Sequence, residues 1–310
     1  MSGLGQLLNA DLVGALLLYT TPILLAAIGC VFTQQANILN IAMEGMMLTA
    51  AFFAIAVGAA TQSVTLALAG AIASALVMSA VFGYVVLVLG ADVFVAGIGI
   101  NLLADGVTVF LLERLYNNEG SYTPTTFPTL WQLTLPAGWA NDPVLGFVYH
   151  ALNGQTVIVF FALILVVISH VVLYRTKIGV HIRATGENPE AVEAAGLNPT
   201  WLKFLTVMVS GVCAGLGGAQ LAMATLDEFI REMTNGVGFI GLSAEIFGNA
   251  TPIGSLIASV VFGLANAVAD RVQVIPSLNV SPDLVLTLPY VVTLVALTLA
   301  MIRRRRARIA

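Results

Sequence analysis

The sequence predicts an all-α polytopic membrane protein, and three observations carry that prediction. Only 9% of the 310 residues are charged and 59% are hydrophobic, with a mean hydropathy of +0.97, whereas soluble domains carry about 25% charge. The charges leave long gaps, at 12–43, 45–91, 143–174, 204–226, 246–269 and 284–302, and a helix needs about 20 apolar residues to cross hydrocarbon. Runs of that length are helix signals, not the roughly ten-residue alternating strands of a barrel, and only helices or closed barrels satisfy their own backbone in lipid. So few charges cannot clothe a soluble surface of this size, which excludes a disordered chain, a nucleic-acid binder and an ordinary cytosolic enzyme. Cys30 and Cys213 lie in apolar runs with no CxxC or Cys/His cluster, so neither a disulfide framework nor a metal site is indicated.

The spans follow in order. Thr33-Gln34-Gln35 divides a helix at about 12–32 from one at about 36–58, and Gly58–Ser63 divides that from one at about 64–90. Further spans fall at about 93–112, 150–174, 204–226, a short 236–250, 252–270 and 284–302, for about nine helices in all, with 8–10 as the range. The 236–250 stretch holds four glycines and barely reaches across, so it reads as half-helices or a re-entrant hairpin. On the 204–226 helix, Gly211, Gly215, Gly217 and Gly218 form a small-residue face for tight helix packing.

Basic residues orient the chain. Nine of the 12 fall in two segments, the loop 175–203 and the tail 303–310. With both cytoplasmic, nine crossings put the N-terminus outside and the C-terminus inside. The loop 113–142, with one Arg, three acids, three prolines and two tryptophans, then becomes an ordered external loop. The RRRRARIA tail directly follows an apolar helix, so it reads as a stop-transfer anchor meeting anionic membrane lipid rather than nucleic acid. No cleavable signal is visible.

The loop 175–203 contains signals for a short helix. Asn188 can cap it, Pro189 suits its first position, Glu190 meets the helix dipole, and Gly196 can take the left-handed conformation that ends it. Two isolated turns are unstable in water, so this helix must dock, either on its own bundle or in a groove of a cytoplasmic partner. Its face of Ala191, Ala194 and Ala195, with Val192 at the margin, permits close approach.

Three acids fall well inside predicted spans, and each has an asparagine four residues away: Asn40/Glu44, Asn101/Asp105 and Glu245/Asn249. Asn266/Asp270 repeats the spacing near a span end. In a helix this spacing puts both groups on one face, and intramembrane acids usually face a cavity or the bundle interior. The functional reading is a polar path for a neutral, hydroxyl-rich solute, because no intramembrane Lys or Arg is available to hold a phosphate or carboxylate. The competing reading is that the pairs hydrogen-bond helices to each other. Gly45, Gly97 and Gly99 beside them allow unwinding or close approach. The three histidines join no H-E-x-x-H or G-x-S-x-G string, and neither Lys177 nor Lys203 belongs to a phosphate-cradling loop. The chain has no ATPase motif of its own.

Three segments resemble a known family. GENPEAVEAAGLNPTWLKFLTVMVSGVCAGLGGAQLA is similar to the signature loop of ABC-importer permeases of the branched-chain amino acid, ribose and nucleoside group. NILNIAMEGMMLTAAF at 37–52 and the 236–273 segment resemble the nucleoside branch, which works with basic-membrane-protein-type lipoproteins, and GINLLADGVTVFLL at 99–112 fits too. The resemblance covers roughly 20–300. It implies a permease of the bacterial plasma membrane, with a separate ABC ATPase, which uses the ATP, an extracytoplasmic solute-binding lipoprotein, and a second permease. It makes Gly186, Glu187, Asn188, Pro189, Glu190, Glu193, Ala194, Ala195 and Gly196 the ATPase-coupling segment. Asn40, Glu44, Asn101, Asp105, Glu245, Asn249 and Asn266 are the candidate substrate path. Glu245 departs from the family, in which an apolar or small residue is expected there. Nucleosides are the expected solute. Ribose-like sugars, branched-chain amino acids or an ion-coupled secondary transporter are the alternatives.

Overall fold

The computed structural model describes residues 10–142 and 145–274. The predicted span 284–302 and the tail 303–310 lie outside them. Among the described residues, seven helices are long and apolar enough to cross a membrane: α1 (Ala10–Gln35), α2 (Met43–Thr61), α3 (Val64–Leu87), α4 (Val93–Tyr116), α6 (Val157–Arg175), α9 (Pro199–Leu221) and α11 (Pro252–Val274). Between them lie the shorter α5 (Leu145–Leu152), α7 (Lys177–Glu187), α8 (Pro189–Ala194) and α10 (Val237–Phe247). α9 runs on through a π turn, Ala222–Leu226.

Polar caps set several boundaries. The Asp92 carboxylate accepts from Phe94 N and Val95 N and starts α4. Asn198 accepts from Trp201 N, with Pro199 at the first position of α9. Each cap satisfies N–H groups that have no partner within the helix.

α1, α2 and α9 form the centre, and α3, α4, α6 and α11 surround them. The centre is built on small side chains. Gly211 and Gly215 of α9 lie against Ser79 and Ile72 of α3, and Gly218 lies against the Met47 and Ala50 region of α2. The small-residue face is therefore packed within the chain, where backbones approach closely enough for dispersion contact.

Three boundaries differ from the sequence reading. α2 begins at Met43, because Ala36–Ala42 is a turn that folds back into the bundle with Asn37 in the left-handed region (φ 59°). The span expected at 150–174 is two helices, α5 and α6, interrupted at 153–156, where Gly154 takes φ 81° and the chain pairs with 131–133. The loop 175–203 holds two helices, not one: the Thr176 hydroxyl caps α7 ahead of α8.

The short stretch at 236–250 is a half-helix. From the end of α9 the chain first pairs Phe229–Ile230 (β2) antiparallel with Ser121–Tyr122 (β1) in the segment after α4. It then turns inward through Glu232, Asn235 and Gly236, all at positive φ. α10 starts beside the first turn of α2 and ends beside the C-terminal turn of α1. There Gln35 Nε2 donates to Ala250 O at 2.7 Å and ties the α10–α11 turn to the end of α1. An interrupted backbone at this depth is tolerated only where protein or a cavity surrounds it.

Candidate functional site

Glu44, in the first turn of α2, commits both carboxylate oxygens to another element. Oε1 accepts from Gly236 N at 2.8 Å and Oε2 from Gly238 N at 2.7 Å. These N–H groups open α10, whose own N-cap residue, Gly236, provides no side chain. An anion here satisfies orphan donors and meets the positive end of the helix dipole, through charge-assisted bonds stronger than neutral ones. Gly238 sits against the Glu44 backbone where a Cβ would collide.

Asn101 joins α4 to the same point. Its Nδ2 donates to Ile41 O at 3.0 Å and its Oδ1 accepts from Gly45 N at 2.8 Å. Gly97 abuts Ile41 and Gly45 abuts Asn101, so both serve close approach, while Gly99 faces open space. One turn on, Asp105 Oδ2 lies 3.8 Å from Arg231 Nη2, and Arg231 Nε lies 3.5 Å from Glu232 Oε1.

These groups line a cavity of about 370 Å³ between α2, α4 and the 232–239 segment. That is within the range of small-molecule sites. Its polar side comprises Glu44, Asn101, Asp105, Glu232, Thr234 and Asn235, and its apolar side Leu48, Ile98, Leu102 and Phe239. No lining residue is Lys or Arg. Ile98 and Leu102 are exposed, so the cavity opens on the outer flank of α4.

The structure thus brings Glu44, Asn101 and Asp105 together and separates the other candidates from them. Asn40 is 1% exposed. It precedes α2 rather than lying on it, and its Nδ2 donates to Ser210 Oγ of α9 at 2.6 Å. Glu245 is also 1% exposed, and its Oε2 has no hydrogen-bond partner among the described residues. Asn249 lies past the end of α10 at φ 55°. Asn266 is half-buried on α11, with Asp270 exposed one turn later. None of the four lines the cavity. The shared-face argument therefore holds for Asn101/Asp105 and Asn266/Asp270. It fails for Asn40/Glu44 and Glu245/Asn249, because one partner of each pair is outside the helix. Glu232, Thr234, Asn235 and Phe239 were not anticipated. They reach the cavity by tertiary placement, and the only local signal was the turn chemistry of Asn235-Gly236.

The second candidate segment lies at the other end. Asn188 Oδ1 accepts from Ala191 N at 3.0 Å, Pro189 opens α8, and Gly196 ends it at φ 81°. Gly186 packs against the backbone of Gln35 and Ala36 and seats α7 on α1. The alanine face does not dock on the chain's own bundle. Val192 is buried (5% exposed), whereas Ala191, Ala194 and Ala195 are exposed, as are Glu187, Asn188, Pro189, Glu190, Glu193 and Gly196. One apolar side chain anchors α8, and the alanine face stays free.

A permease family described as "Branched-chain amino acid transport system / permease component" matches residues 12–297, nearly the whole chain. The chain belongs to this family. This permease is 33% identical over 296 residues to the guanosine ABC transporter permease protein NupQ of Bacillus subtilis, covering 93% of this chain and 91% of the relative. It is 33% identical, with the same coverage, to the nucleoside ABC transporter permease protein NupC of Lactococcus lactis. It is 29% identical to the putative glucose ABC transporter permease protein TsgC13 of Haloferax volcanii, over 100% of this chain and 96% of that one. No solved structure matches it. The permease is a multi-pass membrane subunit of an ABC transporter.

Proposed function

We propose that this permease forms the path by which nucleosides are imported across a bacterial plasma membrane. The observation that carries the reading is the cavity at Glu44, Asn101 and Asp105. It is large enough for a small solute, lined by carboxyl, amide and hydroxyl groups on one side and apolar groups on the other, and free of Lys and Arg. Such a lining suits ribose hydroxyls and a neutral base, and Arg231 beside it is paired with Asp105 and Glu232 rather than free for a phosphate. Two relatives named for guanosine or nucleosides support it. The relative named for glucose makes a sugar the second reading.

The same reading gives nine spans with the N-terminus outside, counting the half-helix α10 and the undescribed 284–302. It places 113–142 outside and 175–203 and the tail inside. The exposed face of α8 docks an ATPase subunit, a solute-binding lipoprotein delivers from outside, and a second permease closes the cavity's open flank at α4. Competition decides the substrate. In cells expressing the assembled importer, unlabelled nucleosides suppress uptake of labelled adenosine, while ribose, glucose and leucine in like excess do not. Suppression by glucose or ribose alone would replace nucleosides with sugars.

A further inference from the structure

We propose that Phe239 is the surface on which the planar base of a nucleoside stacks, so that this residue selects base-bearing solutes over free sugars. The inference rests on the nucleoside reading above and names the contact that reading lacks. Among the described residues, Phe239 is the only aromatic side chain in the cavity lining, and it is 44% exposed on the first turn of α10.

The backbone that carries it is held at both ends of its turn. Glu44 holds Gly236 N and Gly238 N, the two donors just before it in the chain, and Ser243 Oγ donates to Phe239 O at 2.9 Å one turn later. Glu44 thereby has both oxygens engaged with the backbone that opens α10, the turn that carries Phe239. Across the cavity, Asp105 Oδ1 is buried with no hydrogen-bond partner among the described residues. The amide and carboxyl side chains of Asn101 and Asp105 give the same cavity a polar wall for the ribose, while the base covers Phe239. Among the described residues, Glu44, Asp105 and Glu232 are neighboured by a single cation, Arg231, which is paired with the last two. The excess of negative charge disfavours a 5′-phosphate, so the fitting solute is the nucleoside and not the nucleotide. Stacking tolerates any base, because every base has a π face.

The test uses the complete importer in cells that lack other nucleoside uptake. Labelled adenosine and labelled ribose are offered to wild type, F239W, F239L and F239A, with membrane abundance and ATPase association measured for each. Phe239→Trp keeps adenosine uptake near the wild-type rate. Phe239→Leu, which keeps the apolar volume, and Phe239→Ala lower it roughly five-fold or more, with assembly and any ribose uptake unchanged. Wild-type adenosine uptake with an equally fast F239L overturns the stacking assignment and leaves the nucleoside reading standing. A wild type that carries ribose but no adenosine overturns the nucleoside reading itself, and the inference with it.

Discussion

Glu44 shows how a single side chain can hold two parts of a bundle in register. Its two bonds to Gly236 N and Gly238 N cross 192 and 194 residues of sequence. Losing them strands two backbone donors, and an unsatisfied buried donor costs about 1–3 kcal/mol. Glu44→Ala is therefore expected to destabilise the purified permease by about 2 kcal/mol or more, read as a lower melting temperature in detergent. Glu44→Gln keeps a carbonyl acceptor but no charge and should lose roughly half as much. Equal melting of all three proteins would show that the capping bonds do not stabilise the fold. This role was only partly legible. The acid at 44 and the amide at 101 stood out in an apolar run, but their partners are backbone atoms of Gly236, Gly238, Ile41 and Gly45, which leave no trace in side-chain spacing.

At the scale of elements, α8 divides its labour between two faces. Val192 faces the bundle, whereas Glu190, Glu193 and the alanines face solvent. Surface substitutions away from packed groups change stability by about 0.5 kcal/mol or less, so Glu193→Lys should leave the fold and melting temperature intact. It should reduce co-purification of the ATPase and ATP-driven uptake together. Full uptake in E193K, or in a chain lacking 188–196, would remove the docking role. The caps of α8 were readable because Asn, Pro and Gly act through local backbone geometry. Its buried face was not, since six residues give no periodicity to decide which side turns inward. α2 and α10 divide in the same way. Hydropathy reports apolar length, and the fold-back at 36–42 is apolar enough to hide inside it, whereas the glycines and short length of 236–250 exposed its break.

For the whole molecule, apolar composition and the spacing of charges were enough to announce an all-α membrane bundle, because lipid leaves few other solutions. Sidedness is a separate matter and rests on the basic residues. It can be read chemically, because Cys30 and Cys213 are both buried and give little background labelling. A cysteine at exposed Thr126 should react with a membrane-impermeant maleimide in intact cells, and one at exposed Glu190 only after permeabilisation. The opposite pattern would invert the permease and move its proposed ATPase surface outside.

The suspension of α10 from Glu44 also has a consequence in time. Helices enter the membrane in chain order, yet α2 cannot settle its first turn until Asn101 of α4 arrives, and α10 has no cap until α2 is settled. The interrupted stretch from Asp227 to Gly236 must therefore wait for a finished α2–α4 unit before it can leave the aqueous side. A nascent chain arrested before α4 should leave α2 open to crosslinking with the insertion machinery, and one arrested after α4 should hold a closed three-helix unit ready to receive the half-helix.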